Sequence, residues 1–180
     1  MRMIYFAALA AVAAATPAFA QDAARPVFSG AHIEAIAGVD DATWYGESDT
    51  GVMYGVAGGY DFRSGNAVFG IEAEAADATT DVCLMGCVDA GRDLYVGGRV
   101  GVVAGRRVLL YGKVGYTNAR AVFSAGIVSP GVNFDGIRAG AGIEWAIPGS
   151  ALAVRAEYRY SNYEDGASRN QGVVGVGIRF

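Results

Sequence analysis

The chain ends in the sequence QGVVGVGIRF, residues 171–180, and this stretch decides the fold. Large apolar residues occupy every second position of it, which is the period of a β-strand: Val174, Val176, Ile178 and Phe180. The other face carries Arg179 among small residues, where a soluble protein would usually bury its core. If the apolar row faces lipid, Arg179 points into the lumen of a barrel; if it faces a protein interior, Arg179 lies in water.

Seven further stretches repeat this alternation: Ala31–Val39, Val52–Phe62, Phe69–Ala76, Asp93–Val102, Val108–Thr117, Gly136–Trp145 and Leu152–Ser161. Tight turns at 64–66, 104–106 and 148–150 alternate with longer connections at 40–50, 77–91, around 129–131 and at 162–170. In an up-and-down barrel this order places every tight turn at one rim and every long connection at the other. We therefore predict an all-β fold, an eight-stranded antiparallel up-and-down transmembrane β-barrel over residues 21–180.

The composition agrees with this prediction. Hydrophobic residues make up 53% of the chain, yet beyond the N-terminus no apolar run approaches the roughly 20 residues of a membrane helix. A net charge of -4 provides no basic patch for phosphates, so we expect no nucleic-acid partner.

Residues 1–20 have the pattern of a cleavable signal helix. Arg2 precedes a short apolar core, and Ala18-Phe19-Ala20 fits the small-x-small rule, so we expect cleavage between Ala20 and Gln21. An uncleaved anchor is the alternative, but the apolar run is too short to span comfortably. Export would place the chain in an oxidising compartment.

The glycine-rich faces of the predicted strands collect eleven charged residues: Glu34, Glu72, Glu74, Arg99, Lys113, Arg138, Glu144, Arg155, Glu157, Arg159 and Arg179. An eight-stranded barrel has an interior that side chains fill, so these charges must pair across strands or hold trapped water. We predict a salt-bridged plug, with a narrow water path as the alternative. Tyrosine, phenylalanine and tryptophan recur near the ends of the apolar rows, as in the aromatic girdles of membrane barrels, although aromatic residues favour strands in any setting.

The sequence resembles the small outer-membrane β-barrel proteins of Gram-negative bacteria, the opacity-protein-like or porin-family group with OmpA-type eight-stranded barrels. The resemblance rests on Glu157-Tyr158-Arg159-Tyr160, on the Gly-Val-Gly-Ile-Arg-Phe ending and on the signal peptide. It implies residence in the outer membrane with both termini periplasmic, contact with lipid and lipopolysaccharide, and recognition of the C-terminal strand by the barrel-assembly machinery. Phe180 matches the terminal aromatic residue that serves as the family's assembly signal.

Cys83 and Cys87 form a C-x3-C pair in the second long connection, and we predict a disulfide there. A metal site formed by these two cysteines is less favoured because no histidine lies nearby. His32, the only histidine, lacks a matching His-x-Ser pattern, so we expect it in the lumen or at the rim rather than in a catalytic site. The acids of the long connections are expected to form a solvated surface, with divalent ions or a host ligand as alternatives: Asp40, Asp41, Glu47, Asp49, Asp81, Asp89, Glu164 and Asp165.

The sequence thus favours a non-enzymatic outer-membrane barrel that displays external loops for surface interaction or envelope integrity, with no cofactor and an unidentified external ligand. Three alternatives stay open: a small low-conductance porin, a lipid-A-modifying enzyme, and a soluble lipocalin-like barrel.

Overall fold

The computed structural model describes residues 26–180, except 45–46, 80, 84–86 and 125–130; side chains are described at all of these except 44, 47, 81–83, 87–90, 121–124, 131–132 and 165. The predicted signal segment and the Ala20–Gln21 junction lie outside the described residues. The strands are β1 Gly30–Trp44, β2 Glu47–Ser64, β3 Ala67–Ala78, β4 Asp81–Cys83, β5 Cys87–Ala104, β6 Val108–Ser124, β7 Gly131–Ala146, β8 Leu152–Tyr163 and β9 Ser168–Arg179, with a 3-10 helix at Glu164–Gly166.

The long strands form one closed ring. Each pairs antiparallel with its neighbours in the order β3-β2-β1-β9-β8-β7-β6-β5, and pairing of β3 with β5 closes the barrel. The short β4 pairs only with the start of β5, as an extension of that wall. The structure confirms the predicted eight-stranded up-and-down barrel. No helix in the described part of the chain is long and apolar enough to cross a membrane.

The three predicted tight turns connect successive antiparallel strands. Gly65, Gly105 and Gly149 each have a positive φ, between 60° and 71°, a backbone region that residues with a Cβ rarely adopt. These turns and both described chain ends lie at one rim, which we call the turn end. The opposite rim, with the longer connections, is the loop end.

The polarity of the wall is inverted relative to a soluble barrel. The apolar row of β9 points outward, with Val174 61% and Val176 50% exposed, while Val173 between them is only 2% exposed. On β8 the same alternation leaves Tyr158 59% exposed and buries Arg155 and Arg159 at 3% and 0%. The buried positions of the wall therefore include many charged side chains.

The outward apolar rows form a belt of nearly constant height. On β5 the belt runs from Leu94 to Val102, and on β8 from Leu152 to Tyr160, which is nine residues in each case. At about 3.3 Å per residue and a tilt near 40°, nine residues span about 23 Å. That height matches the roughly 25 Å apolar band of outer-membrane barrels.

The strands reach further at the loop end than the sequence predicts. The predicted connection 40–50 is largely strand, because β1 continues to Trp44 and pairs with β2 as far as Glu47. Likewise β9 begins at Ser168, within the predicted connection 162–170, and β5 begins at Cys87, within the predicted connection 77–91. Apolar alternation stops where the belt stops, but backbone pairing continues beyond it, so a pattern of hydrophobic residues ends the strands too early.

Candidate functional site in the charged barrel interior

The barrel interior is filled by ionised side chains. All eleven residues of the predicted charge network point inward, and nine of them are at most 5% exposed, Glu34 and Arg179 being half-buried. Among the described residues the interior also contains Asp40, Asp61, Asp93 and Arg169, which the predicted network omitted. Together these are eight carboxylates and seven permanent cations.

Two glutamates of β3 are at the centre of this network. Glu72 accepts Lys113 Nζ at 2.9 Å and Arg155 Nη1 at 2.9 Å. Glu74 pairs with Lys113 and Arg159, and Arg155 Nη2 lies 3.4 Å from its carboxylate. Each carboxylate therefore has several cationic partners, which offsets the cost of removing it from water.

These ion pairs cross the full width of the barrel. In a ring of eight strands β3 and β8 are four steps apart in either direction, so they are opposite walls. Arg155 and Arg159 of β8 nevertheless contact Glu72 and Glu74 of β3. Opposite walls touch through their side chains, so this level of the lumen is occupied by protein atoms.

A second group of ion pairs lies nearer the turn end. Arg99 Nε donates to Asp61 Oδ1 at 2.8 Å, and Arg99 Nη1 lies 3.3 Å from Glu144. Arg179 bridges the same two acids, Asp61 and Glu144. This closed set joins β2, β5, β7 and β9.

A third group lies nearer the loop end. Arg138 Nε donates to Ser161 Oγ at 2.8 Å and its guanidinium pairs with Asp93. Arg169 Nε donates to Asp40 Oδ1 at 3.0 Å. The expectation that Asp40 belongs to a solvated loop is wrong: Asp40 is 0% exposed, because β1 continues through it in phase with the inward row.

Aromatic rings line the cations. Lys113 Nζ lies 4.8 Å from the ring centroid of Tyr95, and the Arg99 guanidinium lies 5.3 Å from that of Tyr111. Tyr111 also donates its hydroxyl to Glu157 at 2.6 Å. Such cation–π contacts add attraction that water does not screen.

An apolar cap closes the turn end. Phe28 precedes β1 and is 1% exposed, packed in a cluster with Val68, Val103, Leu109 and Tyr111. Its φ of 64° is the one positive value at a non-glycine residue in the described chain, and the Arg179 guanidinium lies 5.1 Å over its ring. No sequence pattern singled Phe28 out, since it lies outside the alternating stretch.

The other predicted site residues are placed as follows. His32 points into the lumen, 6% exposed. The backbones of Cys83 and Cys87 pair directly with each other across the β4–β5 hairpin, but their side chains lie outside the described part. Phe180 follows β9, and its backbone N–H donates to the Ala31 carbonyl at 2.8 Å, at the seam between the first and last strands.

The remaining acids of the predicted connections lie near the loop end. Asp41 accepts Thr50 Oγ1 at 3.2 Å across β1 and β2, Asp49 is half-buried on β2, and Glu164 is exposed in the 3-10 helix. The side chains of the other acids lie outside the described residues: Glu47, Asp81, Asp89 and Asp165.

The outer belt is bounded by aromatic residues at both edges. Tyr60, Phe62, Phe69 and Trp145 are exposed towards the turn end, and Tyr54, Tyr116, Tyr158 and Tyr160 towards the loop end. Two rings of aromatic side chains flanking an apolar band are what a membrane barrel requires at the two headgroup layers.

Family comparison agrees with this geometry. Residues 6–180 match the model of the outer membrane protein beta-barrel domain. The chain belongs to the outer-membrane β-barrel family. Its place is therefore the bacterial outer membrane, with the turn end towards the periplasm and the loop end outside.

Solved barrels share the fold at low sequence identity. Neisserial surface protein A, from Neisseria, is 17% identical with a TM-score of 0.65, and the alignment covers 84% of this chain and 98% of that one. Ail, the attachment invasion locus protein of Yersinia pestis, is 20% identical with a TM-score of 0.62, covering 84% and 99%. The N-terminal barrel domain of OprF from Pseudomonas aeruginosa is 13% identical with a TM-score of 0.53, covering 83% and 97%. No curated protein is significantly similar to the chain in sequence.

Proposed function

We propose that this barrel is a non-enzymatic outer-membrane scaffold that displays its external loops for surface interaction or envelope integrity, and that its interior is a plug. The observation that carries the proposal is the contact between opposite walls: Arg155 Nη1 of β8 lies 2.9 Å from Glu72 of β3. A conducting pore needs a continuous water path, and here the side chains occupy the centre of the lumen. The low-conductance porin is therefore the less favoured alternative.

The loop end supports a display role. Every wall changes from apolar to polar at the same height, with Asp77 after Ala75 on β3, Asn118 after Tyr116 on β6 and Asn162 after Tyr160 on β8. Beyond this boundary β6 continues from Asn118 to Ser124, which is about 20 Å of strand. The paired strands thus extend beyond the belt as a collar under the loops, which is taller on β6 than on β3 and β8, where it ends one residue past the boundary.

Hydrogen bonds connect the collar to the exposed tyrosines at the loop-end edge of the belt. Tyr158 donates its hydroxyl to Asn170 Oδ1 at 2.6 Å. Asp135, the first outward polar residue of β7 beyond the belt, accepts Tyr116 Oη and accepts Asn118 Nδ2 at 2.6 Å. The bond from Tyr116, with that from Asn118, lowers the pKa of the Asp135 carboxyl, so it stays ionised at the surface.

Two of the similar structures are of surface proteins by their own names, a Neisserial surface protein and the Yersinia pestis attachment invasion locus protein. The latter is also solved with sucrose octasulfate, a heparin analogue. These names support a surface role for the shared scaffold. The ligand of the present loops is left open.

The position of His32 argues against the lipid-modifying enzyme. His–Ser chemistry requires the imidazole within hydrogen-bond reach of a hydroxyl. The ring nitrogens of His32 instead face the carboxylates of Asp61 and Glu72, each at 3.6 Å. In the described part of the chain, no hydroxyl forms a hydrogen bond with either ring nitrogen.

Two experiments test the proposal. In planar bilayers the purified barrel should give no reproducible single-channel steps, and regular steps would favour the porin. The second experiment complements a deletion strain with the wild-type chain or with a variant in which residues 84–86 and 125–130 are replaced by Gly/Ser. We expect the wild-type chain to restore envelope integrity together with attachment or autoaggregation, and the variant to restore envelope integrity alone. Full restoration of attachment by the loop-replaced variant would contradict loop display.

We also propose that Cys83 and Cys87 are joined by a disulfide. Directly paired residues of antiparallel strands have Cα atoms about 4.5–5.5 Å apart, within the range that disulfides bridge. Alkylation of the exported protein should label both thiols only after reduction. Labelling without reductant would show free thiols and remove the disulfide.

A further inference from the structure

His32 has an unusual environment for a buried histidine. Its ring is 6% exposed, and neither ring nitrogen has a hydrogen-bond partner among the described residues. Nδ1 lies 3.6 Å from Asp61 Oδ2, and Nε2 lies 3.6 Å from Glu72 Oε2 and 4.0 Å from Glu34 Oε1. Three carboxylates thus surround one imidazole at 3.6 to 4.0 Å.

The two ring nitrogens of His32 face carboxylates on both sides. A neutral imidazole donates through one nitrogen and accepts through the other. With the Nδ1–H directed at Asp61, the lone pair of Nε2 points towards the negatively charged oxygens of Glu34 and Glu72, which repels them. A buried polar atom left unsatisfied in this way is destabilising.

We propose that His32, Glu34 and Glu72 bind a divalent transition-metal ion of the Zn²⁺ type. One ligand atom from each residue lies within 4.8 Å of the other two. Zinc binds histidine nitrogen and carboxylate oxygen at about 2.0–2.2 Å, so side-chain shifts of a few tenths of an ångström would close the set around one ion. One nitrogen and two carboxylate ligands would leave positions for water.

Asp61 would orient the metal-bound histidine. A metal-bound histidine usually donates its other ring N–H to a carboxylate, which fixes the tautomer and the ring orientation. Asp61 Oδ2 lies on the Nδ1 side of His32. Asp61 is itself held by Arg99 Nε at 2.8 Å, so the orienting group is rigid.

The two glutamates of the proposed set already have cationic partners. Arg155 Nε binds the other oxygen of Glu34, Oε2, at 3.0 Å, which leaves Oε1 for the ion. Glu72 Oε2, the oxygen nearest His32 Nε2, lies 2.9 Å from Arg155 Nη1 and 3.4 Å from Arg99 Nη1. An ion would share that oxygen with both arginines and bind less tightly than in a site without neighbouring cations.

A small cavity adjoins two of the three proposed ligands. It has a volume of about 10 Å³ and is lined by His32 and Glu34 together with Glu144, Arg155 and Arg179, while Glu72 lies outside its lining. That volume is close to the minimum that holds one water molecule. Gly59 on β2 makes room on another side, because a Cβ there would lie 2.8 Å from His32 Cε1.

The test uses the untagged full barrel, refolded in detergent and stripped with EDTA. His32 is the only histidine in the sequence, so its imidazole NMR signals need no variant for assignment. We expect one equivalent of zinc to remain after gel filtration, titrated Co²⁺ to shift or broaden the imidazole signals, and Mg²⁺ and Ca²⁺ to do neither. His32→Gln should weaken zinc binding at least tenfold while the barrel still migrates as a folded, heat-modifiable species.

A matched control separates this site from the cysteines. Cys83→Ser with Cys87→Ser should retain the full equivalent of zinc. The proposal is overturned if the wild-type imidazole signals do not respond to cobalt, or if zinc is retained by His32→Gln and lost only in the cysteine variant. Because the wild-type NMR measurement needs no mutant, a folding defect in His32→Gln does not leave the question undecided.

Discussion

Arg138→Met tests the energetic role of the interior charges. Arg138 is 1% exposed and donates from Nε to Ser161 at 2.8 Å, while its guanidinium pairs with Asp93 and lies 3.5 Å from Glu74. Methionine keeps much of the apolar stem and removes the charge. The variant therefore leaves buried carboxylates with fewer partners and creates little cavity.

The magnitude follows from what remains around Asp93. Removing one partner of a buried ion pair costs about 3–5 kcal/mol. Asp93 still accepts Thr117 Oγ1 at 3.0 Å and keeps Arg169 Nη1 at 3.6 Å, so we expect the lower end of that range, about 3 kcal/mol. With a urea dependence of about 2 kcal/mol per molar, the unfolding midpoint should fall by about 1.5 M.

The assay is reversible urea unfolding of the barrel in lipid vesicles, followed by tryptophan fluorescence. Arg120→Met is the matched control: Arg120 is on the outer face of β6 and exposed, so its loss should change stability by no more than about 0.5 kcal/mol. The double variant Arg138→Met with Asp93→Asn should recover at least about 1 kcal/mol, because the stranded carboxylate is neutralised. Equal midpoints for Arg138→Met and Arg120→Met would refute the plug as a source of stability.

Three further predictions concern the wall, the cap and the C-terminus. Gly97→Ala should prevent folding, seen as loss of the heat-modifiable band, since its Cβ would lie 2.5 Å from the Val114 backbone oxygen and would also overlap the Tyr95 hydroxyl. Gly98→Ala, whose Cβ has its nearest neighbour at 3.7 Å, should fold normally. Phe28→Ala should lower the free energy of unfolding by about 3 kcal/mol, measured in urea. The variant should still produce no channel steps in bilayers, because the ion pairs between opposite walls continue to fill the lumen. Channel steps would mean that the Phe28 cap alone seals the barrel. Phe180→Ala should lower the amount of barrel in the outer membrane while folding in detergent proceeds at the wild-type rate, and unchanged levels in cells would remove its role as an assembly signal.

The architecture could be predicted from sequence because the belt imposes a strict two-residue period. Val174 and Arg179 are an odd number of positions apart in the sequence. A continuous extended strand therefore points their side chains to opposite faces of the wall. That reasoning needs no knowledge of tertiary contacts. It also identifies which charges share the lumen, although not which of them pair.

Asp40 and Arg169, two of the four interior residues that the predicted network omitted, lie beyond the belt. Asp40 is in phase with His32 and Glu34, and Arg169 is in phase with Val173 and Arg179, so extending the alternation would have placed both inside. Outside the belt both faces of a strand meet water, and the polar outward residues there resemble a loop. Strand ends set by backbone pairing cannot be recognised from hydrophobicity alone.

The Phe28 cap illustrates a different limit. Its position depends on a left-handed backbone conformation and on a pocket formed by β3, β5 and β6, which are distant in sequence. A lone phenylalanine before the first strand has no period to analyse. Only the closed barrel shows that its ring fills the turn end.

The direction in which the side chains of β9 point is the claim on which the whole account depends. Nitroxide labels placed one at a time at positions 173 to 178, in a Cys83→Ser and Cys87→Ser background reconstituted in bilayers, report contact with oxygen dissolved in the acyl chains. We predict high oxygen accessibility at positions 174, 176 and 178 and low accessibility at 173, 175 and 177. The reverse phase, or no alternation at all, would contradict an apolar surface facing lipid around a charged interior.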